Sequence, residues 1–328
     1  MTTRFGFSLQ GRGALADRDA ITTLALRAER LGFDSVFVTD RLLIPVQSAS
    51  RYPYSATGAF PLGPDEPWLE PLTAVTYLAT VTARISVGTS VLVIPYRNPV
   101  VTAKALATAD YLSGGRVILG AGIGWWREEF EGLGVPFADR AARTVEYLRL
   151  MREIWTKPRV VFEGRFARIS EAGGVRPHPV QRPHIPIWIG GHSEAALHRV
   201  VEIADGWHPL GLRPPVTLYP AEMAAAVRRL RDMAAAAGRD PKTITITFKG
   251  PLKFARRRCG PPAAHGVGGA DRRGSLCVRR GGGRALRPGF LGSDRPRDVG
   301  CPGAGRRGCP PASWRMMTPL SRRQRVWV

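Results

Sequence analysis

The chain has 328 residues, of which 44% are hydrophobic, so it can bury a sizeable core as one large α/β barrel or as two ordinary domains. No stretch approaches the roughly 20 apolar residues of a membrane-spanning helix. The first ten residues alternate in polarity and lack the long apolar run of a signal peptide. We therefore expect a cytoplasmic protein with no membrane contact.

Charge and composition divide the chain after residue 254. The net charge is +22, and residues 255–328 supply +14 of it, with 17 Arg, no Lys and no Glu. Arg, Gly, Pro and Ala, which share GC-rich codons, make up 46 of those 74 residues, and no apolar period persists there. We predict that 255–328 is out-of-frame translation. The alternatives are a divergent linker and a basic arm that binds nucleic acid, although we expect no specific nucleic-acid ligand.

The chemistry of residues 1–254 involves neither cysteine nor, we expect, a metal. All four cysteines lie in the tail, without a C-x-x-C pair or a histidine at ligand spacing. In the first 254 residues, histidines and carboxylates do not occur at metal-ligand spacing. The sequence therefore predicts no metal site.

Short apolar runs alternate with amphipathic helical patterns from residue 4 onward. The predicted strands are 4–9, 35–38, 85–94, 116–121, 185–189, 206–209 and 243–248. The predicted helices are 17–31, 71–81, 98–112, 139–155, 194–204 and 220–238. Two insertions interrupt them near 41–70, where a lid or substrate wall is expected, and near 159–185, where a hairpin is expected.

Seven strands that alternate with helices predict an α/β fold of parallel βα units. Both an open doubly wound sheet and a closed (β/α)8 TIM barrel satisfy this pattern. The count favours the barrel, with residues 1–254 forming its domain and the eighth βα unit missing or disrupted after Phe254.

Candidate functional residues are those inside the end of a predicted strand or just after it, because the active site of such a barrel lies at the carboxyl ends of its strands. This set is rich in glycine, aromatic and small polar residues and poor in charge, which suits a flat heteroaromatic cofactor. Its members are Asp40, Arg41, Ser90, Val91, residues 122–126, residues 190–193, Trp207 and His208. The loop at 190–193 precedes a helix and indicates a phosphate site, unless its glycines only close a tight turn.

Two long segments carry a family resemblance. Residues 87–137 (VGTSVLVIPYRNPVVTAKALATADYLSGGRVILGAGIGWWREEFEGLGVPF) are similar to the central segment of luciferase-like monooxygenases. They are most similar to the branch that depends on coenzyme F420, a deazaflavin. Residues 178–197 (HPVQRPHIPIWIGGHSEAAL), followed by ADGWH at 204–208, resemble the second signature of the same family. The resemblance implies an eight-stranded barrel of the luciferase-like type that binds F420 or, alternatively, FMN.

The resemblance also implies roles for individual positions. Ser90 and Val91 match a non-prolyl cis peptide that bulges against the deazaflavin ring. The residues implied to line the ring or hold the cofactor's phosphate are Gly122, Ile123, Gly124, Gly190, Gly191, His192 and Ser193.

Asp40 and Arg41 are the catalytic candidates, at a place where many family members carry Asp-His. Arg41 cannot act as a base, because its guanidinium stays charged at accessible pH. It would instead attract an acidic or carbonyl-bearing substrate. Asp40 either hydrogen-bonds to the cofactor or forms a salt bridge or helix cap.

The sequence thus predicts an oxidoreductase that transfers a hydride between F420 and a small organic substrate. An FMN-dependent luciferase-like monooxygenase is the alternative on the same fold. An alternative of another class is a non-catalytic truncated barrel or a nucleic-acid binder that uses the basic tail. The expected partner is a small-molecule substrate, and a homodimer is compatible with the sequence.

Overall fold

The computed structural model describes residues 3–173, 175–211 and 215–251. The predicted tail at 255–328 and the place expected for the eighth βα unit lie outside the described residues. Within the described ranges, no helix is both long and apolar enough to cross a membrane.

Strands and helices alternate in the predicted order. The strands are β1 Gly6–Gln10, β2 Ser35–Val38, β3 Ser86–Thr89, β4 Leu92–Val93, β5 Val117–Gly122, β6 Arg159–Glu163, β7 Arg168–Gly173, β8 Ile187–Gly190, β9 Gly206–His208 and β10 Thr245–Ile246. The helices are α1 Arg18–Arg30, α2 Pro71–Val81, α3 Pro99–Ser113, α4 Arg127–Gly132, α5 Arg140–Thr156, α6 Glu194–Ile203 and α7 Pro220–Ala236.

One parallel sheet carries the fold. Its strand order is β1-β2-β3-β5-β8-β9-β10, and β4 pairs with β5 beyond the end of β3. Each ladder in this path is parallel, with a helix on each crossover, so all carboxyl ends meet at one edge. In the second insertion, β6 and β7 pair antiparallel as a separate hairpin.

The two faces of the sheet bury different side chains, because successive strand residues point to opposite sides. Val36 and Val38 lie on the helix side and belong to the main apolar core. Phe37, Ile118 and Trp188 lie on the other face and form a separate buried cluster. This second cluster fills the side of the sheet that the helices do not cover, which is the inside of a barrel.

The third predicted strand, 85–94, is interrupted. It forms β3 and β4 with Ser90 and Val91 between them, and the peptide bond joining these two residues is cis. The break lets β3 pair with the start of β5, where Val87 lies opposite Val117. It also lets β4 pair with the end of β5. The interruption falls at the carboxyl edge of the sheet.

Candidate active site

The cis peptide brings the ends of three strands together. Ser90 donates its backbone N–H to Val38 at 2.8 Å, and the Val91 side chain projects between two glycines. A Cβ added to Gly122 would lie 2.5 Å from Val91 Cγ2, and one added to Gly190 would lie 3.1 Å from Val91 Cγ1. Glycine at these positions therefore leaves room for the valine. The structure places three of the predicted loops at one mouth.

The remaining predicted residues after β5 lie beside this point. Ile123 and Gly124 are half-buried, and Gly124 has a φ of 79°. A side chain on Gly124 would meet the Phe130 ring at 2.7 Å and Val93 at 2.8 Å. The chain therefore passes close to α4 here without a side chain of its own in the gap.

The loop after β8 leads into α6. Gly191 has a φ of 92° and its carbonyl accepts a hydrogen bond from Trp207 Nε1 at 2.7 Å. His192 is exposed. Ser193 caps α6, because its Oγ accepts from the Ala196 N–H at 3.3 Å. The capped start of a helix at the mouth leaves backbone N–H groups directed toward this loop.

Asp40 forms a buried ion pair. Its carboxylate accepts two hydrogen bonds from the Arg97 guanidinium, both at 2.8 Å, and a third from the Val93 N–H at 2.8 Å. Arg97 also contacts Glu70 at 2.9 Å. Of the readings that the sequence left open for Asp40, the structure contains the salt bridge, which ties the end of β2 to the chain after β3.

Arg41 is also paired inside the protein. Its guanidinium forms an ion pair with Glu129, a residue of the first turn of α4 that is fully buried. Glu129 further accepts from Tyr96 Oη at 2.8 Å and from the Leu42 N–H at 2.9 Å. The charge that the sequence assigned to a substrate is therefore balanced by a carboxylate of this chain.

Aromatic rings surround the Arg41 guanidinium. Its central carbon lies between 4.9 and 5.8 Å from four ring centroids, those of Phe60, Trp68, Trp125 and Trp126. Trp125 and Trp126 stack at 4.9 Å. We call these four residues the aromatic wall. Phe60 and Trp68 belong to the first insertion, which therefore packs on the loop after β5 at the mouth.

A polar chain runs beneath the cis peptide. Ser90 Oγ lies 2.9 Å from His208 Nε2, and His208 Nδ1 lies 2.6 Å from Thr247 Oγ1. On the other side, Lys249 Nζ lies 3.0 Å from Ser90 Oγ and 3.3 Å from the Ser90 carbonyl oxygen. Sequence reasoning had considered His208 but missed Thr247 and Lys249. The signal was present, since Thr247 lies near the end of the last predicted strand, 243–248, and Lys249 directly follows it, where site residues are expected.

Burial shifts the ionisation of this chain. It lowers the pKa of His208 to about 3, with repulsion from Lys249 as the second cause. Burial also lowers the pKa of Lys249 to about 8, and the positive charge of Arg12 adds to the effect. His208 is therefore neutral at physiological pH. Among the described residues, no group of three His, Cys, Asp or Glu side chains could hold a metal ion.

These features define a class: a parallel-stranded (β/α) barrel protein whose candidate site lies at the carboxyl ends of the strands. The sequence model of the luciferase-like monooxygenase family matches residues 2–258. The chain belongs to this family.

The chain is similar in sequence to three relatives and in structure to one solved protein. An uncharacterized protein of Mycobacterium tuberculosis is 35% identical over 221 residues, 67% of this chain and 74% of that protein. An F420-dependent glucose-6-phosphate dehydrogenase of Nakamurella multipartita is 35% identical over 243 residues, 72% of this chain and 63% of that enzyme. An FMNH2-dependent dimethylsulfone monooxygenase of Pseudomonas putida is 34% identical over 134 residues, 40% of this chain and 36% of that enzyme.

The solved structure is an F420-dependent secondary alcohol dehydrogenase in complex with an F420-acetone adduct. It superposes with a TM-score of 0.60 at 20% identity, over 77% of this chain and 69% of that chain. The luciferase-like barrel predicted from the sequence is thereby confirmed as the fold. The chain is a member of a family with F420-dependent and FMN-dependent oxidoreductases.

Proposed function

We propose that this chain is an oxidoreductase that transfers a hydride between coenzyme F420 and a small organic substrate. The observation that carries the proposal is the Val91 side chain, which projects between Gly122 and Gly190 where the strands end. The choice of F420 is supported by the 35% identical Nakamurella multipartita relative, which is named as an F420-dependent dehydrogenase.

The residues of the mouth fit a flat tricyclic ring with an anionic tail. Val91 offers an apolar contact at the mouth, and Gly122 beside it carries no side chain. The loop at 190–193 leads into α6, where N–H groups and the helix dipole favour a phosphate. The one carboxylate at the start of this helix, Glu194, is paired with Arg229 at 2.6 Å, which offsets its repulsion of an anion. When bound, the cofactor supplies the carbon that gives or receives the hydride.

The protein's own residues hold and enclose this site. The Asp40–Arg97 pair fixes the strand ends next to the cis peptide. The Arg41–Glu129 pair fixes the aromatic wall, which excludes water from one side of the mouth. Because Arg41 already has a buried carboxylate partner, we propose that the substrate packs on the aromatic wall and is not held by the Arg41 charge.

An FMN-dependent monooxygenase is the second candidate. The FMNH2-dependent relative of Pseudomonas putida favours it, although the match covers a smaller part of this chain than the match to the F420-dependent relative. Both cofactors present a planar tricyclic ring and a phosphate, so the same mouth suits either one.

Binding titrations of the purified full-length chain with F420 and with FMN test the proposal. We expect saturable quenching of the tryptophan fluorescence of the aromatic wall, with tighter binding of F420. Loss of the visible absorbance of oxidised F420 on addition of alcohols or sugar phosphates would then report hydride transfer. Tighter binding of FMN would select the monooxygenase, and no binding of either cofactor would refute both candidates.

A further inference from the structure

Lys249 places an ammonium at the Ser90–Val91 peptide, where no carboxylate among the described residues pairs with it. Within the part of the chain that the structure describes, the hydrogen bonds of its Nζ go to the side-chain and backbone oxygens of Ser90. The buried acids of the mouth, Asp40 and Glu129, are each paired with an arginine. Taking a charge out of water without a partner costs free energy, so an ammonium in this position calls for an anion.

The hydrogen bonds below Lys249 run in one direction. Thr247 Oγ1 donates its proton to the Trp207 carbonyl oxygen at 3.0 Å, so it must accept from Nδ1–H of His208. The other ring nitrogen of neutral His208, Nε2, is then an acceptor, and Ser90 O–H donates to it at 2.9 Å. Ser90 Oγ is left to accept from Lys249 at 3.0 Å. The direction of these hydrogen bonds therefore makes Ser90 Oγ an acceptor for the Lys249 ammonium.

The Lys249 ammonium has more N–H groups than acceptors among the residues that the structure describes. Two of its three N–H groups are used by the Ser90 oxygens, and the third has no acceptor among the residues that the structure describes. Arg12 adds further positive charge close by, which together with burial lowers the pKa of Lys249 to about 8. The positive charges of Lys249 and Arg12 therefore lie close enough at this peptide to act on each other.

We propose that the Lys249 ammonium stabilises the negative charge of the ring cofactor in its reduced form, and that Ser90, His208 and Thr247 position this ammonium. The inference rests on the proposed function. A hydride brings two electrons and one proton, so transfer to a neutral ring leaves one additional negative charge on it unless a second proton is taken up. A fixed ammonium beside the ring stabilises that charge and binds the reduced cofactor more tightly than the oxidised one.

Separate dissociation constants for oxidised and reduced cofactor test this inference. The cofactor that binds the wild-type chain, F420 or FMN, would be titrated anaerobically into three full-length proteins. These are the wild type, Lys249→Met and Lys249→Arg. Lys249→Met should weaken binding of the reduced cofactor about tenfold relative to binding of the oxidised cofactor. This change equals a fall of roughly 30 mV in the midpoint potential of the bound cofactor. Lys249→Arg should restore most of the difference, because it keeps the charge.

Lys242→Met is the matched control. Lys242 is exposed and lies seven positions before Lys249, so its replacement should leave both constants at the wild-type values. An unchanged ratio of the two constants in Lys249→Met would overturn the inference while leaving the proposed function intact. Absence of cofactor binding by the wild type would instead overturn the proposed function and, with it, the inference.

A measurement on the wild-type chain covers the case in which Lys249→Met does not fold. The chain has five lysines, so their side-chain signals can be resolved by NMR after ¹³C-dimethylation. Addition of reduced cofactor should raise the pKa of Lys249 because an adjacent anion favours the ammonium. An unchanged pKa of Lys249 in the complex with reduced cofactor would contradict the inference.

Discussion

Glu129→Gln should destabilise the chain by about 3 kcal/mol, because it leaves the buried charge of Arg41 without a partner. The amide can still accept a hydrogen bond from Tyr96 or from the Leu42 N–H, which places the cost at the lower end of the range for broken buried pairs. For a domain of this size, such a loss lowers the Tm by roughly 6–12 °C.

Thermal and urea unfolding of the variant measure this loss directly. Glu131→Gln is the matched control, since Glu131 lies two positions further along α4 and is exposed; it should unfold like the wild type. The double variant Arg41→Met/Glu129→Gln should recover stability relative to Glu129→Gln alone, because methionine packs against the aromatic wall without a charge. Wild-type stability of Glu129→Gln would refute the buried ion pair as an anchor of the mouth.

Three further predictions concern the mouth and the groups beneath it. Gly122→Ala should weaken cofactor binding roughly tenfold, because the new Cβ would lie 2.5 Å from Val91. Gly63→Ala, where the new Cβ meets open space, should bind the cofactor like the wild type in the same titration. Below about pH 6.5, the free energy of unfolding measured in urea should fall by roughly 1 kcal/mol per pH unit, because unfolded His208 takes up a proton that the folded form, with its pKa of about 3, does not. His208→Gln should flatten this slope, and an unaltered slope would contradict the lowered pKa of His208. Asp40→Asn should cost about 3 kcal/mol in the same urea experiment, since it removes the negative member of a buried ion pair, and a loss below the experimental error would count against it.

Helix positions were predictable because their signals are local. Asp17 accepts from the Ala20 N–H at 2.8 Å and begins α1. Asn98 caps α3 one residue before a proline, and Gly114, with a φ of 69°, ends it. Each signal lies within a few residues of the boundary that it sets. Sequence patterns alone therefore place these helices within one residue at either end.

The break in the third strand was not predictable from periodicity. Residues 85–94 were predicted as one strand with a polar middle, but the two halves pair with different parts of β5. Which residue of a strand lies opposite which residue of its neighbour depends on the whole sheet. Their position near a strand end made Ser90 and Val91 candidate site residues, but the cis peptide between them was implied by the family resemblance alone.

The partners of the site residues were equally hidden from local patterns. Glu129 is 88 residues from Arg41, and Lys249 is 159 residues from Ser90. The sequence placed Arg41 after a predicted strand and Ser90 inside the end of one. It could not say that Arg41 is neutralised by its own chain, because that contact exists only after α4 and the first insertion have packed together.

A crystal structure of the full-length chain with F420 would test the central claim most directly. The account predicts that the ring contacts Val91, whose side chain lies between Gly122 and Gly190. It also predicts the phosphate at the start of α6 and Lys249 within hydrogen-bonding distance of the ring. A ring bound at another surface, or a mouth that excludes the cofactor at saturating concentration, would contradict it.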